Sequence, residues 1–223
     1  MSEYGEPLLF AEMAPDRPDF ENSLIDARNC IPIKDGYDSL QQLSILTDQL
    51  PTRGIGAITA KDAVGDADTY AGTLTKLFHS VDGVWTDATR LVGGDYVTAS
   101  NGRWEFVIVG SNIIGTNFAD NPQIVASGAL NFADLTTDFK SKHVAQVRQF
   151  TVHGNTDDPV DGHVPFRVRW SAFDDPSDYT ISPVTQSDFQ DPQSPGGACQ
   201  GIVGGEIGMV FMERSTHRMT YVS

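Results

Sequence analysis

From Ile55 onward the chain runs in short apolar–polar alternations broken by Gly, Asn and Asp. IGAITAKD alternates, and DTYAGTLTKLF passes through Gly72 towards Trp85-Thr86-Asp87. RWEFVIVGSNIIGTN reads as an apolar strand, a turn at Gly110-Ser111-Asn112 and a returning apolar strand. QFTVHGNTDDP followed by FRVRWSA repeats the plan around Gly154-Asn155, with a longer loop. GEIGMVFMERSTHRMTYV pairs Met209–Met212 with Met219–Val222 across Glu213–His217. Period-two alternation punctuated by turn residues predicts antiparallel hairpins. Only two brief stretches tolerate a helix, around Leu40–Leu50 and Phe132–Lys142.

The turn centres near Gly72, Gly110, Gly154 and Glu213 lie 38, 44 and 59 residues apart. All-β repeats of this size suit the blades of a propeller. The expected fold is all-β: a β-propeller-like array of antiparallel hairpin blades over residues 51–223, with a β-sandwich as the alternative. Trp85, Trp104, Val168, Trp170 and Tyr221 are the expected structural residues of the blade cores. Three or four hairpins are few for a closed ring, and open strand edges invite aggregation. With Ser223 directly following a strand, the chain is expected to be either the N-terminal part of a longer product or a subunit whose edges partners cover.

Residues 1–50 have a different texture. They hold ten acids and three bases, with prolines at 7, 15, 18 and 32 and a further one at 51. Pro15 and Pro18 fix φ and remove backbone donors, which suits an irregular, partly extended acidic arm lying on another surface. Leu24, Ile25, Ile31, Ile33 and Leu40 give that arm apolar anchors, and Asp35-Gly36-Tyr37 reads as a tight turn into a strand.

Charge narrows the partners. Thirty acids against fifteen bases give a formal net charge of −15. Such a polyanion repels phosphate backbones and anionic lipid surfaces, which weighs against DNA gripping and membrane docking. The apolar runs Phe106–Val109 and Met209–Met212 are too short to span a bilayer. No secretory signal pattern opens the sequence. Cys30 and Cys199 lack CxxC spacing and fit two buried free thiols or one bridge, the former being expected in a chain with this much core.

Candidate chemistry is sparse. No nucleophile elbow, P-loop, dinucleotide loop or zincin helix occurs, so no catalytic or cofactor-binding residue is expected. His153 and His163 flank a loop with Asp157, Asp158 and Asp161, the best metal candidate, yet GNTDDPVDGH lacks calcium-loop spacing and reads as a polar hairpin. Ser80-Val-Asp82-Gly83-Val-Trp85-Thr86-Asp87 holds the letters of a sialidase aspartate box at the wrong spacing. In RVRWSAFDDPSDYT, alternation puts Val168 and Trp170 inside and Arg167 and Arg169 on the outer, solvent-facing side of a half-buried strand. Asp174, Asp175 and Asp178 then follow as an Asp-Pro turn that needs no metal.

FRVRWSAFDDPSDYT, followed by QSDFQDPQSPGGACQGIVGGEIGMVFMERSTHRMTYV, resembles the tail-hub proteins of short-tailed bacteriophages, the DNA-stabilisation or nozzle family. PDRPDFENSLIDARNCIPIKDGYDSL is similar to that family's lead-in, and AGTLTKLF, VWTDATR and RWEFVIVGSNIIGTNFADNPQ follow in the family's order. The resemblance spans nearly the whole chain and implies a non-enzymatic virion protein made in the host bacterial cytoplasm. It also implies a β-propeller hub in a homo-oligomeric, six-fold ring beneath portal and adaptor, passing DNA without reading its sequence. An acidic lumen would let the duplex slide. The alternative is a glycan-binding or glycan-cleaving propeller module, which would need paired carboxylates across a pocket.

Overall fold

The structure, a computed structural model, describes residues 26, 28–33, 36–40, 44–61, 65, 67–126, 129–192 and 196–221. The chain separates into two units, Met1–Leu46 and Thr47–Ser223. Among the described residues there is no helix. The fold is all-β.

In the first unit, β1 (Cys30–Ile33) and β2 (Gly36–Ser39) form an antiparallel hairpin, pairing Cys30 with Ser39 and Ile33 with Gly36. The amide of Leu40 donates to the Asn29 carbonyl at 2.8 Å and extends the ladder. A regular hairpin thus stands inside the segment expected to be irregular. The extended arm expected around Pro15 and Pro18, with its anchors Leu24 and Ile25, lies outside the described residues.

The second unit contains four antiparallel sheets in chain order, each a plain up-and-down meander. The first comprises β3 (Gly56–Lys61), β4 (Ala67–Gly72), β5 (Leu77–Val81) and β6 (Val84–Asp87). The second comprises β7 (Glu105–Val109), β8 (Asn112–Thr116), β9 (Gln123–Ala126) and β10 (Ala133–Asp134). The third comprises β11 (Lys140–Val147), β12 (Phe150–Asp158), β13 (Gly162–Trp170) and β14 (Asp188–Gln190). Among the described residues, the fourth comprises β15 (Cys199–Val203), β16 (Gly208–Met212) and β17 (Thr216–Met219). Of the two stretches that tolerated a helix, Phe132–Lys142 contributes β10 and the start of β11, and the described part of Leu40–Leu50 is irregular.

Turn chemistry fixes several of these hairpins. Asp82 and Gly83 both have positive φ (52° and 83°), as a two-residue type I′ connection requires. Gly110 has φ 61° at the first central position of the β7–β8 turn, the place for glycine in a type II′ turn. Only Glu213, Arg214 and Ser215 connect β16 to β17, tighter than the sequence suggested: Met212 N–H donates to the Ser215 carbonyl at 2.8 Å. Gly154 is a correction. It lies inside the nine-residue β12, not in a turn. A Cβ there would come within 2.7 Å of Cys199 Sγ, so glycine serves close sheet approach.

The sheets stack face to face through their first strands, β3 against β7, β7 against β11 and β11 against β15. One apolar core fills each gap. Tyr70, Leu77, Tyr96, Trp104, Ile113 and Val125 occupy the first gap. Ile114, Phe139, Val144 and Tyr179 occupy the second, and Phe150, Val152, Val168, Cys199, Val210 and Met212 the third. Successive residues therefore point into different cores, Ile113 one way and Ile114 the other, because neighbouring side chains on a strand alternate faces. The two middle sheets are buried on both sides, and among the described strands no sheet closes on itself.

Candidate functional site

Of the residues expected in blade cores, Trp104 (3% exposed) and Val168 (5%) are there. Trp104 packs edge-on to Tyr96 and donates its indole N–H to the Thr73 carbonyl at 2.9 Å. Trp170 is half-buried beside the third core and donates to the Gln186 carbonyl at 2.8 Å. Trp85 is not a core residue: it sits half-buried on the edge strand β6 with its indole on the Asp48 carbonyl. Tyr221 lies past β17 and is 37% exposed, against Phe150, Phe173 and the Arg148 guanidinium. Edge strands have only one sheet neighbour, so a large side chain on them stays partly in water.

The aspartates of the Asp-Pro stretch are spent on backbone. Asp175 Oδ1 accepts from the amide and hydroxyl of Ser177, which hold its pKa below the usual carboxylate range. Asp178 accepts from the Thr180 amide. Asp174 stands at φ 59° with its amide on the Gln149 carbonyl. These are the capping contacts of a turn.

The arginines facing away from Val168 are not solvent-exposed, which corrects the expectation of an outer basic face. Between the pairs Thr156–Val164 and Gly154–Val168, the three residues Pro165, Phe166 and Arg167 oppose Asn155 alone. Proline belongs in such a bulge because it has no N–H for the ladder. The bulge turns Arg167 inward, where it meets Asp158 (3.0 Å), Asp161 (2.7 Å) and Asp191 (2.8 Å) and covers the Phe189 ring at 4.0 Å. Hydrogen bonding to Asp191 above all raises the guanidinium's pKa. Arg169 lies over the Phe139 ring and donates to the Tyr179 carbonyl.

This arrangement also disperses the best metal candidate. Asp158 and Asp161 belong to Arg167, while His163 Nε2 bonds Asn155 Oδ1 at 2.8 Å. His153 points into the second gap, between Ser141 Oγ (2.8 Å from Nδ1) and Tyr179 OH (2.9 Å from Nε2). Among the described residues, no three His, Cys, Asp or Glu side chains converge as metal ligands would. The Ser141–His153–Tyr179 chain has the look of a nucleophile and base, but His153 and Ser141 are 0% exposed. Burial first, and Arg169 second, push the imidazole down to about 3, so it stays neutral and unreachable. A similar link, His143 Nδ1 to Glu105 at 2.9 Å, ties β11 to β7.

A groove of about 710 Å³ lies between the third and fourth sheets. Val147, Phe150, Val168 and Trp170 form its apolar floor, with Gln186 and Gln190 along one wall. The opposite wall is β17 and its continuation, bringing His217, Arg218 and Tyr221, with Arg148 at the end. No lining residue is acidic. Sequence reading singled out Val168, Trp170 and Tyr221 but not Arg148, Gln190 or Arg218, since only sheet stacking brings those positions together.

The first strands of the four sheets carry Lys61, Glu105, Lys140 and Lys142. These strands thus carry three bases against one acid. Among the described residues no helix is long and apolar enough to cross a membrane. No family model matches the chain, and no curated protein matches it.

Proposed function

We propose that this chain is a non-enzymatic structural subunit of a phage tail, a hub or nozzle component that assembles as a ring below the portal and adaptor and through which DNA is held and then ejected. The observation that carries the reading is the run of four antiparallel meanders stacked through their first strands. That is how propeller blades sit around an axis. It joins the segment-by-segment resemblance to tail-hub proteins. The groove supports the non-enzymatic part, since its lining contains no carboxylate and glycoside cleavage by the usual route needs two. Three lysines against one glutamate on the first strands count against an acidic bore. Sliding of DNA past this subunit would then rest on partner surfaces or on the acidic turns.

Purified protein, alone and mixed with portal and adaptor proteins, tests the proposal by negative-stain imaging and sedimentation. A ring, formed alone or on the portal–adaptor complex, is the expected result. Strictly monomeric particles that bind neither component would overturn it. Hydrolysis of host polysaccharide by the purified chain would overturn the non-enzymatic reading.

A further inference from the structure

Both buried histidines among the described residues, His143 on β11 and His153 on β12, belong to the joint between the second and third sheets. His143 reaches across it to Glu105 of β7, and His153 joins a chain of hydroxyls that ends on Thr116 of β8. Donors and acceptors in that chain can be counted through. Thr116 has one hydroxyl proton and donates it to the Ser141 carbonyl, so towards the Ser141 hydroxyl it can only accept. The Ser141 proton is spent there, which leaves its oxygen to accept from His153 Nδ1 at 2.8 Å. A neutral imidazole has one N–H, so Nε2 is bare and accepts from the Tyr179 hydroxyl at 2.9 Å. We infer that Tyr179, His153, Ser141 and Thr116 form a one-way chain of donors that latches the third sheet to the second, with the His153 proton on Nδ1, and that the latch is released when the ring takes up a second proton.

Burial and charge both support this. Thr116, Ser141 and His153 are 0% exposed and Tyr179 is 3%, so water does not compete for these bonds. Phe139 packs edge-on against both the His153 and Tyr179 rings, at 5.1 and 4.9 Å between centroids. Breaking one link leaves a buried donor or acceptor without its partner. A second ring proton, on Nε2, would oppose the Tyr179 hydroxyl proton, donor against donor, and undo the chain at its first link. The charged neighbours do not offset it. Arg169 lies directly opposite His153 on β13 with its guanidinium on the Tyr179 carbonyl, while Glu105 and Asp175 are held by His143 and Ser177. Burial first, and Arg169 second, accordingly keep the ring neutral in the folded chain. Among the described residues, the first and third cores contain no buried histidine, so proton uptake is felt at the second. The inference is independent of the tail-hub reading.

The test uses the purified full chain with isotope-labelled histidine. Nitrogen–proton correlation spectra of the imidazoles show which ring nitrogen carries the proton, and His153→Asn identifies the His153 signals. The parent at pH 7 is expected to show a protonated Nδ1 and a bare Nε2. Ser141→Ala removes the acceptor at Nδ1, so the proton should move to Nε2 and be donated to the Tyr179 oxygen. Tyr179→Phe removes only the donor to Nε2 and should leave the proton on Nδ1. A ring held by packing alone would not distinguish these two variants. Amide exchange then reads the latch. Opening that exposes His153 takes up one proton, so the opening of β8 and β11 should rise about tenfold per pH unit between about pH 6 and 5. Neither β4 of the first sheet nor the His153→Asn variant should follow that slope. A bare Nδ1 in the parent, an unmoved proton in Ser141→Ala, or β8 and β11 opening no more steeply with acid than β4 would each overturn the inference. The parent's own spectra and exchange decide even where a variant fails to fold.

Discussion

Replacing Arg167 with Met keeps an apolar stem in place while removing the cation shared by Asp158, Asp161 and Asp191. Asp161 and Asp191 are partly exposed, and pairs of that kind are worth only about 0–1 kcal/mol each. Asp158 differs because its side chain is almost entirely covered. Burial pushes its pKa up, but the Asp161 and Val160 amides together with Arg167 outweigh burial and hold it below the usual range. Removing one partner of a buried pair costs about 3–5 kcal/mol. The two amides remain, so the lower end applies, about 3 kcal/mol. For a domain of this size that corresponds to a fall in Tm of roughly 6–12 °C. Calorimetric melting of wild type and Arg167→Met at pH 7 measures it. The pH dependence follows from the sign of the shift. A depressed folded pKa stabilises above the unfolded value of about 3.9 and loses that contribution as pH falls through the folded pKa. The gap between the two proteins should therefore narrow in acid. Adding Asp158→Asn should recover part of the loss at pH 7. A gap below about 1 kcal/mol at pH 7, the range of an exposed pair, would mean that the carboxylate cage does not hold the bulge.

Trp104→Ala should destabilise by about 3–5 kcal/mol in chemical denaturation, because the indole fills the first core against Tyr96 and covers Gly56 and Gly72. Gly154→Ala should cost about 1–3 kcal/mol by overpacking, since the added methyl meets Cys199 Sγ and Ile202, and Gly154→Ala combined with Cys199→Ala should regain some of it. His153 is held neutral when folded, with a pKa of about 3, against about 6.5 unfolded, so its contribution is intact above pH 6.5 and fades as pH falls towards 3. Equilibrium unfolding between pH 7 and 4 should accordingly show a flatter profile for His153→Asn than for the parent.

Much of this fold is written locally. The Asp82-Gly83 and Gly110-Ser111 turns are chemical necessities of two-residue hairpins, and alternation alone placed Trp104 and Val168 inside. Gly154 was misread because a glycine that permits two sheets to approach looks, in sequence, like one that permits a turn. Trp85 and Tyr221 were misplaced because period two assigns a face but not whether a neighbouring sheet covers it. Arg167 was expected in water for a related reason: where both faces of a sheet are buried, the face opposite an apolar one is also interior. Its partner Asp191 is 24 residues away, joined to it only through β14. The groove left even less trace, being lined by residues of two sheets far apart in sequence.

Ile113 and Ile114 serve different cores from adjacent positions, and that has a consequence for how the second unit can be divided. The second and third sheets each lend one face to two cores, so neither owns a hydrophobic interior of its own. Arrays in which each unit is stabilised chiefly by its neighbours lose stability through their interfaces. A cut between β10 and β11 would strip Ile114 and Val144 of cover together, leaving two fragments that each present a bare apolar wall. The meanders look modular in sequence, yet the smallest autonomous piece is set by the gaps between them.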